Sequence, residues 1–100
     1  MAKVDGIWEV VTQTPIGEQR ARMTIVSEGD TFTGSSESEM ATFVLENGRI
    51  AGDEITWTMQ LTVPMKLTLE GRATIEGDTI TGKIKAGFLG SSTMTGHRVA

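Results

Sequence analysis

The sequence predicts a single all-β domain over residues 1–100, folded as an eight-stranded antiparallel up-and-down barrel with no substantial helix. Three observations indicate this fold class. β-Branched residues, which suit a half-buried pleated surface, fill 30 of the 100 positions. Apolar and polar residues alternate along short segments, and turn signals built from glycine and aspartate recur about every 24 residues.

The strands are predicted from period-2 alternation between successive turns. Residues 55–63 place five apolar side chains on one face and Thr or Gln on the other, and residues 66–75 follow the same pattern. No stretch has a helical period. We expect strands at residues 7–13, 19–27, 31–38, 42–51, 55–63, 66–75, 79–86 and 91–98.

The turns indicate an internal repeat of hairpins. The Gly-Asp pairs at residues 29–30 and 77–78 lie in near-identical segments, and the pair at 52–53 lies in a looser copy. Such pairs suit tight hairpins because glycine adopts positive φ and aspartate hydrogen-bonds to nearby backbone. Asn47 and Gly48 interrupt the fourth strand and predict a β-bulge.

The short links between the strands favour closure. An open meander would expose two edges, and closing it into a barrel removes both. A β-sandwich uses the same strand pattern and is the competing interpretation. We favour the barrel because no link is long enough for a Greek-key crossover.

The composition argues against several classes of function. A formal net charge of −4 disfavours a nucleic-acid binder that tracks phosphates. Cysteine is absent and His97 is the one histidine, so we expect no disulfide, no metal site and no cofactor. No apolar run approaches the roughly 20 residues of a membrane span. With no secretory segment evident, we expect no membrane insertion and a cytoplasmic location.

The first and last strands carry a pair of motifs, Gly-Ile-Trp at residues 6–8 and Gly-His-Arg at residues 96–98. This pair resembles the calycin superfamily of lipocalins, fatty-acid-binding proteins and avidins. In that superfamily a G-x-W on the first strand closes one barrel end, and a basic residue on the last strand packs over the indole. The resemblance implies that Trp8 plugs one end and that Arg98 caps the indole by cation–π and hydrogen-bond contacts. Residues 76–98 also resemble small bacterial β-modules, some of them attached to larger enzymes.

The alternation assigns one face of each strand to the interior. An eight-stranded barrel is either just filled by side chains or holds one small ligand. Small inward residues such as Gly34, Gly71 and Gly82 are expected to leave room for a ligand, with a filled core as the alternative. Methionines supply an adaptable lining. We expect the ligand-binding side chains to be Met23, Phe32, Ser36, Ser38, Phe43, Trp57, Met59, Leu69 and Met94.

One rim of the barrel is predicted to be apolar, although hairpin tips are normally polar. Three roles stay open for it: a portal for an apolar ligand, a dimerisation or partner surface, or a lid folded over the core. Gly87 and Gly90 flank the last tip and make it the expected moving part. The residues of this apolar rim are Ile16, Met40, Met65, Phe88 and Leu89.

The candidate catalytic residues are Glu39 and, second, Glu37. The third strand is weakly patterned, and a one-residue slip would turn both carboxylates inward and Ser36 and Ser38 outward. Glu39 would then lie near the apolar rim and serve as a general acid or base. His97 is expected to point outward, so nucleophilic serine chemistry has no histidine to support it.

The expected function is binding of a small apolar or aromatic molecule inside the barrel. One alternative is a small-barrel isomerase or cyclase that acts on an apolar substrate mainly by confinement, as some bacterial cyclases with calycin-like barrels do. Another is an interaction module that uses the apolar rim, for example as a homodimer. An ionisable group inside the barrel would favour the enzyme.

Overall fold

A computed structural model describes residues 4–14, 17–39, 41–61, 66–87 and 90–100. Every strand pairs antiparallel with its neighbour in sequence, and the first strand also pairs with the last, so the meander closes. The predicted eight-stranded barrel is confirmed, and the sandwich is wrong. The strands are β1 (Gly6–Thr14), β2 (Gly17–Glu28), β3 (Thr31–Glu37), β4 (Thr42–Ala51), β5 (Glu54–Leu61), β6 (Leu67–Glu76), β7 (Thr79–Lys85) and β8 (Ser91–Arg98).

The two ends of the barrel differ in what they carry. The terminal end bears the turns at residues 29–30, 52–53 and 77–78 together with both ends of the described chain. The far end bears the links β1–β2, β3–β4, β5–β6 and β7–β8. The predicted apolar rim belongs to these far-end links, and its residues Ile16, Met40, Met65, Phe88 and Leu89 lie outside the described residues. No helix in the described part of the chain is long and apolar enough to cross a membrane.

The turns of the terminal end repeat one hydrogen-bonding arrangement. Their glycines have φ between 59° and 65°, the left-handed region that favours this residue. The aspartate carbonyl of each turn accepts a hydrogen bond from a backbone N–H in the next hairpin. These bonds run from Ile50 to Asp30, from Ile75 to Asp53 and from Arg98 to Asp78, each at 2.8 Å. The internal repeat of the sequence is therefore also a structural repeat.

A fourth hydrogen bond at the terminal end resembles these three but involves an aspartate side chain. The backbone N–H of Ser27 donates to the Oδ1 atom of Asp5 at 2.6 Å, so a side-chain oxygen replaces the turn carbonyl. Asp5 lies just before β1, where the chain has no preceding hairpin within the described residues. The segment just before β1 is thereby attached to the end of β2.

The core consists of apolar side chains from the inward face of every strand, because alternate residues of a strand point to the same side. Val4, which lies before β1, is also fully buried and was not part of the predicted interior. The buried residues are Val4, Trp8, Val10, Met23, Ile25, Phe32, Leu45, Ile55, Trp57, Met59, Ala73, Ile75, Ile80 and Met94.

The predicted bulge in β4 is present. Asn47 has a φ of 54°, and the register of β4 shifts against β5 between Glu46 and Arg49. A shift against β3 occurs in the same region. A Cβ atom on Gly48 would overlap the carbonyl oxygen of Phe32, so a close approach of β3 and β4 depends on this glycine.

The inward glycines do not leave room for a ligand, and that expectation is wrong. A Cβ atom on Gly71 would overlap the indole of Trp57, and one on Gly82 would lie 2.7 Å from the Cβ of Ala73. A Cβ atom on Gly34 would overlap a backbone carbonyl of β2. These glycines allow neighbouring strands and side chains to approach closely, so their space is already occupied.

Candidate functional site

Trp8 and Arg98 close the terminal end of the barrel. The Trp8 side chain is fully buried, and its Nε1 donates to the carbonyl of Val4 at 3.1 Å. The guanidinium carbon of Arg98 lies 4.5 Å from the centroid of the Trp8 ring. The Nη1 and Nη2 atoms of Arg98 donate to the carbonyls of Asp5 and Gly77 at 2.8 and 3.2 Å. A ligand would therefore have to enter the interior from the far end.

Burial of the inward side chains decreases from the terminal end to the far end. Along β6, Ile75 and Ala73 are buried, whereas Leu69 and Leu67 are half-buried. The other strands continue this trend, and we call the half-buried region the far half of the interior. Its lining consists of Thr12, Thr14, Gln19, Ala21, Ser36, Phe43, Leu61, Leu67, Leu69, Ile84 and Ser92.

The lining of the far half divides into two walls. The strands β8, β1, β2 and β3, which are contiguous because β8 pairs with β1, contribute mainly hydroxyl and amide side chains. The strands β4 to β7 contribute only apolar side chains. The polar wall consists of Thr12, Thr14, Gln19, Ser36 and Ser92, with Ala21 as its one apolar member. The apolar wall consists of Phe43, Leu61, Leu67, Leu69 and Ile84.

Most of the polar wall is free to bond to a ligand. Thr14 is engaged, since its Oγ1 donates to the carbonyl of Gly17 at 2.7 Å. The side chains of Thr12, Gln19, Ser36 and Ser92 have no hydrogen-bond partner among the described residues. The wall therefore offers three hydroxyl groups and one carboxamide, all of them uncharged.

Trp57 lies at the boundary between the packed core and the far half. Its side chain is 2 % exposed, covers Gly71 and meets Phe32 edge to face with the ring centroids 6.4 Å apart. The indole Nε1 is buried and has no hydrogen-bond partner within the described part of the chain. A buried donor without an acceptor costs about 1–3 kcal/mol, so an acceptor brought by a ligand would stabilise the folded protein.

The predicted ligand-binding residues lie on the inward faces of strands, except for Ser38 in the β3–β4 link, and they differ in burial. Met23, Phe32, Trp57, Met59 and Met94 are buried in the core. The half-buried members are Ser36, Ser38, Phe43 and Leu69. The Ser38 hydroxyl bonds to the carbonyl of Ala41 at 3.1 Å, within the β3–β4 link.

The rest of the polar wall was missed by the sequence reasoning, which predicted only Ser36 of it and assigned only apolar and small residues of β1, β2 and β8 to the interior. The signal that could have found it is the continued alternation of these strands. Two positions beyond Val10 lies Thr12, and two positions before Met94 lies Ser92. Because every second residue of a strand points to the same face, both hydroxyl side chains lie on the inner face.

The candidate catalytic carboxylates differ in position: Glu37 lies on the outer face of β3, and Glu39 lies in the β3–β4 link. Glu37 and Glu39 are both exposed. The register slip that would turn them inward does not occur, because Ser36 stands opposite Met23 on β2 and opposite Phe43 on β4. Residues that stand opposite each other in neighbouring strands point to the same face, so Ser36 faces inward with Met23 and Phe43. A one-residue slip would move every side chain of β3 to the other face of the sheet.

The charged side chains near His97 form a solvated cluster on the outer surface. The Nε2 of His97 lies 3.8 Å from Oε2 of Glu9, and Arg22 approaches the other oxygen of Glu9 at 3.3 Å. All three side chains are about half or more exposed, so the Glu9–Arg22 ion pair and the His97 contact contribute little. No group of three or more His, Asp or Glu side chains among the described residues could hold a metal ion.

The geometry defines a class of protein: a closed eight-stranded meander barrel with one sealed end. No protein-family model matches the chain, and no curated protein matches it either. Among solved structures the chain is similar to a redesigned β-barrel, with a TM-score of 0.72 and 13% sequence identity. The match covers 98% of this chain and 93% of the other. At this identity the similarity concerns the fold alone.

Proposed function

We propose that the protein binds a small, uncharged and largely apolar molecule in the far half of its interior. The observation that carries the proposal is the change in burial along the inward faces. Side chains near Trp8 are buried, whereas those of the far half are half-buried and none of them is charged. An uncharged lining of mixed apolar and polar side chains is typical of small-molecule sites.

The resemblance to calycins supports the same function. It rests on the Gly-Ile-Trp motif at residues 6–8 and on Arg98, which contacts the Trp8 ring as the resemblance implies. We therefore extend the proposal to a calycin-like use of the barrel, with one end closed by the indole and the ligand held beyond it.

Binding is favoured over catalysis by the chemistry of the interior. The inward positions of the described strands carry no carboxylate and no histidine, and Glu37 and Glu39 are exposed. Acid–base catalysis needs such a group within hydrogen-bond reach of the substrate. The hydroxyl and amide groups of the polar wall can bind and orient a molecule but do not exchange protons readily near neutral pH.

The proposal is tested by screening uncharged aromatic and aliphatic compounds for thermal stabilisation. A ligand present at 100 times its Kd stabilises the folded state by about 2.7 kcal/mol. For a domain of this size each kcal/mol raises the melting temperature by about 4–8 °C, so a ligand should raise it by roughly 10 °C or more. The fluorescence of Trp57 should change with binding, and that of Trp8 in the closed end should not.

Two leucine variants of neighbouring residues distinguish binding in the barrel interior from binding on the outer surface of the barrel. Ser36 faces the far half, whereas Ser35 lies on the outer face of the same strand. Ser36→Leu should abolish the thermal shift by filling the site, and Ser35→Leu should preserve it. The proposal is wrong if no compound changes the melting temperature and Ser36→Leu is more stable than the wild type, because the interior would then be only core.

A further inference from the structure

We infer that the ligand carries a hydroxyl, carbonyl or amide group on one edge of an apolar body and has no net charge. This inference rests on the proposed function and specifies the chemistry of the bound molecule. Its basis is the division of the far half into a polar wall and an apolar wall, which face each other across the barrel.

The polar wall is continuous across four strands. Ser92 lies on β8, Thr12 on β1, Gln19 on β2 and Ser36 on β3, and these strands are neighbours in the closed sheet. Thr12 is directly opposite Gln19 in the register, so a hydroxyl and a carboxamide lie side by side. A single polar edge of a ligand can therefore meet donors and acceptors from more than one strand.

The bonding capacity of this wall is unused within the protein. Thr12, Gln19, Ser36 and Ser92 make no side-chain hydrogen bond to any described residue. Polar groups that are only half-buried have to bond to water or to a ligand, because leaving them unpaired is unfavourable. A ligand that presents only hydrocarbon to this wall would leave these groups unpaired and would bind less tightly.

Among the described residues, the opposite wall has no polar side chain. Phe43, Leu69 and Ile84 represent β4, β6 and β7, and Met59 lies buried at its base on β5. The described side chains of this wall offer apolar contacts, and the unpaired indole N–H of Trp57 lies two residues before Met59. An apolar ligand body is the partner that this wall fits.

Charge on the ligand is disfavoured because the described lining of the far half includes no charged group that could compensate it. None of the lining side chains is ionisable, and the guanidinium of Arg98 is engaged in the closed end. An ion that enters such a site loses hydration without gaining an ion pair. Carboxylates and amines should therefore bind more weakly than the alcohols or amides of the same shape.

The inference is tested with three series of probes built on naphthalene, biphenyl and n-octane. Each series contains the parent hydrocarbon, its alcohol and its carboxylate, and the Kd of each is measured at pH 8 by Trp fluorescence and calorimetry. In a series that binds, we expect the alcohol to bind about 3- to 10-fold more tightly than the parent. The carboxylate should bind at least about 10-fold more weakly than the alcohol.

Matched inward and outward variants test whether the polar wall causes the preference for the alcohol over the hydrocarbon. Thr12→Val and Ser36→Ala remove inward hydroxyl groups with little change of shape, and Thr24→Val and Ser35→Ala remove outward ones. The double variant of the inward pair should reduce the preference for the alcohol to less than about twofold. The double variant of the outward pair should keep it, with circular dichroism as the check that both variants fold.

The outcomes separate this inference from the proposed function. Equal binding of alcohol and hydrocarbon, a preference that survives in the inward double variant, or tightest binding of the carboxylate would each overturn the inference while interior binding stands. Failure of all three series to bind would overturn the proposed function and the inference with it.

Discussion

Replacing Arg98 by methionine tests whether one side chain holds the terminal end closed. The guanidinium donates to the carbonyls of Asp5 and Gly77, lies 3.1 Å from a carboxylate oxygen of Asp78 and packs over the Trp8 ring. The partner Asp5 is 93 positions away in the chain, so the contact joins the segment just before β1 to the last strand. Methionine keeps the apolar part of the side chain and removes all of these polar contacts.

The expected loss follows from the individual contacts. Hydrogen bonds that involve a charged group contribute about 1.5–3 kcal/mol each, and a partly buried cation–π contact contributes about 0.5–2 kcal/mol. The Arg98 side chain is 22% exposed, but the Asp78 side chain is 82% exposed, so that ion pair adds little. Because such contributions are not additive, we expect Arg98→Met to lower the free energy of unfolding by about 2–4 kcal/mol.

Urea denaturation of a double-mutant cycle measures the contact with the ring. Trp8→Leu alone should cost about 3–5 kcal/mol, and its combination with Arg98→Met should show a coupling energy of about 0.5–2 kcal/mol. Arg22→Met is the control, since the Arg22 guanidinium is exposed and pairs with Glu9 on the surface. The reasoning fails if Arg98→Met costs no more than this control, or if its effect is additive with that of Trp8→Leu.

Two further predictions concern packing and titration. Gly71→Ala should destabilise the protein by about 1–3 kcal/mol and alter the near-ultraviolet circular dichroism of Trp57, because its Cβ overlaps the indole; unchanged stability would contradict this packing. Hydrogen bonds from Gln13 and then Arg20 hold the pKa of Glu18 below its ordinary value of 4.5. The ionised Glu18 should therefore stabilise the fold slightly above the unfolded-state pKa, and this stabilisation should be lost as the pH falls through the folded-state pKa. Carboxyl NMR titration should show this pKa rising in Gln13→Ala, and an unchanged value would mean that the amide does not bond to Glu18.

The strands and turns of this protein are determined by local sequence, and they could be predicted from it. Alternation between residues 55 and 63 assigns each side chain to a face, because a strand has a period of two. The Gly-Asp pairs set the turns because glycine reaches positive φ without strain. The bulge at Asn47 and Gly48 is likewise visible in the sequence, since these residues interrupt an otherwise regular strand.

The tertiary structure decided which side chains of adjacent strands are in contact on the inward face of the sheet. Gly71 is a small residue in the sequence, but whether its space is empty depends on the side chain of the adjacent strand, and Trp57 fills it. Ser36 stays inside because Met23 and Phe43 stand beside it, which the weak pattern of β3 does not specify. Such contacts depend on the register between strands and not on the order of residues within one strand.

The two walls of the far half also arise only on closure. No single strand indicates a polar surface, because each strand contributes only one of the residues Ser92, Thr12, Gln19 and Ser36. Pairing of β8 with β1 joins the last strand to the first three, and only then do these side chains form one continuous surface. The sequence by itself determined the strands, the turns and the bulge, and the closed sheet decided which inward side chains lie together, because adjacency around a barrel is a property of the whole chain.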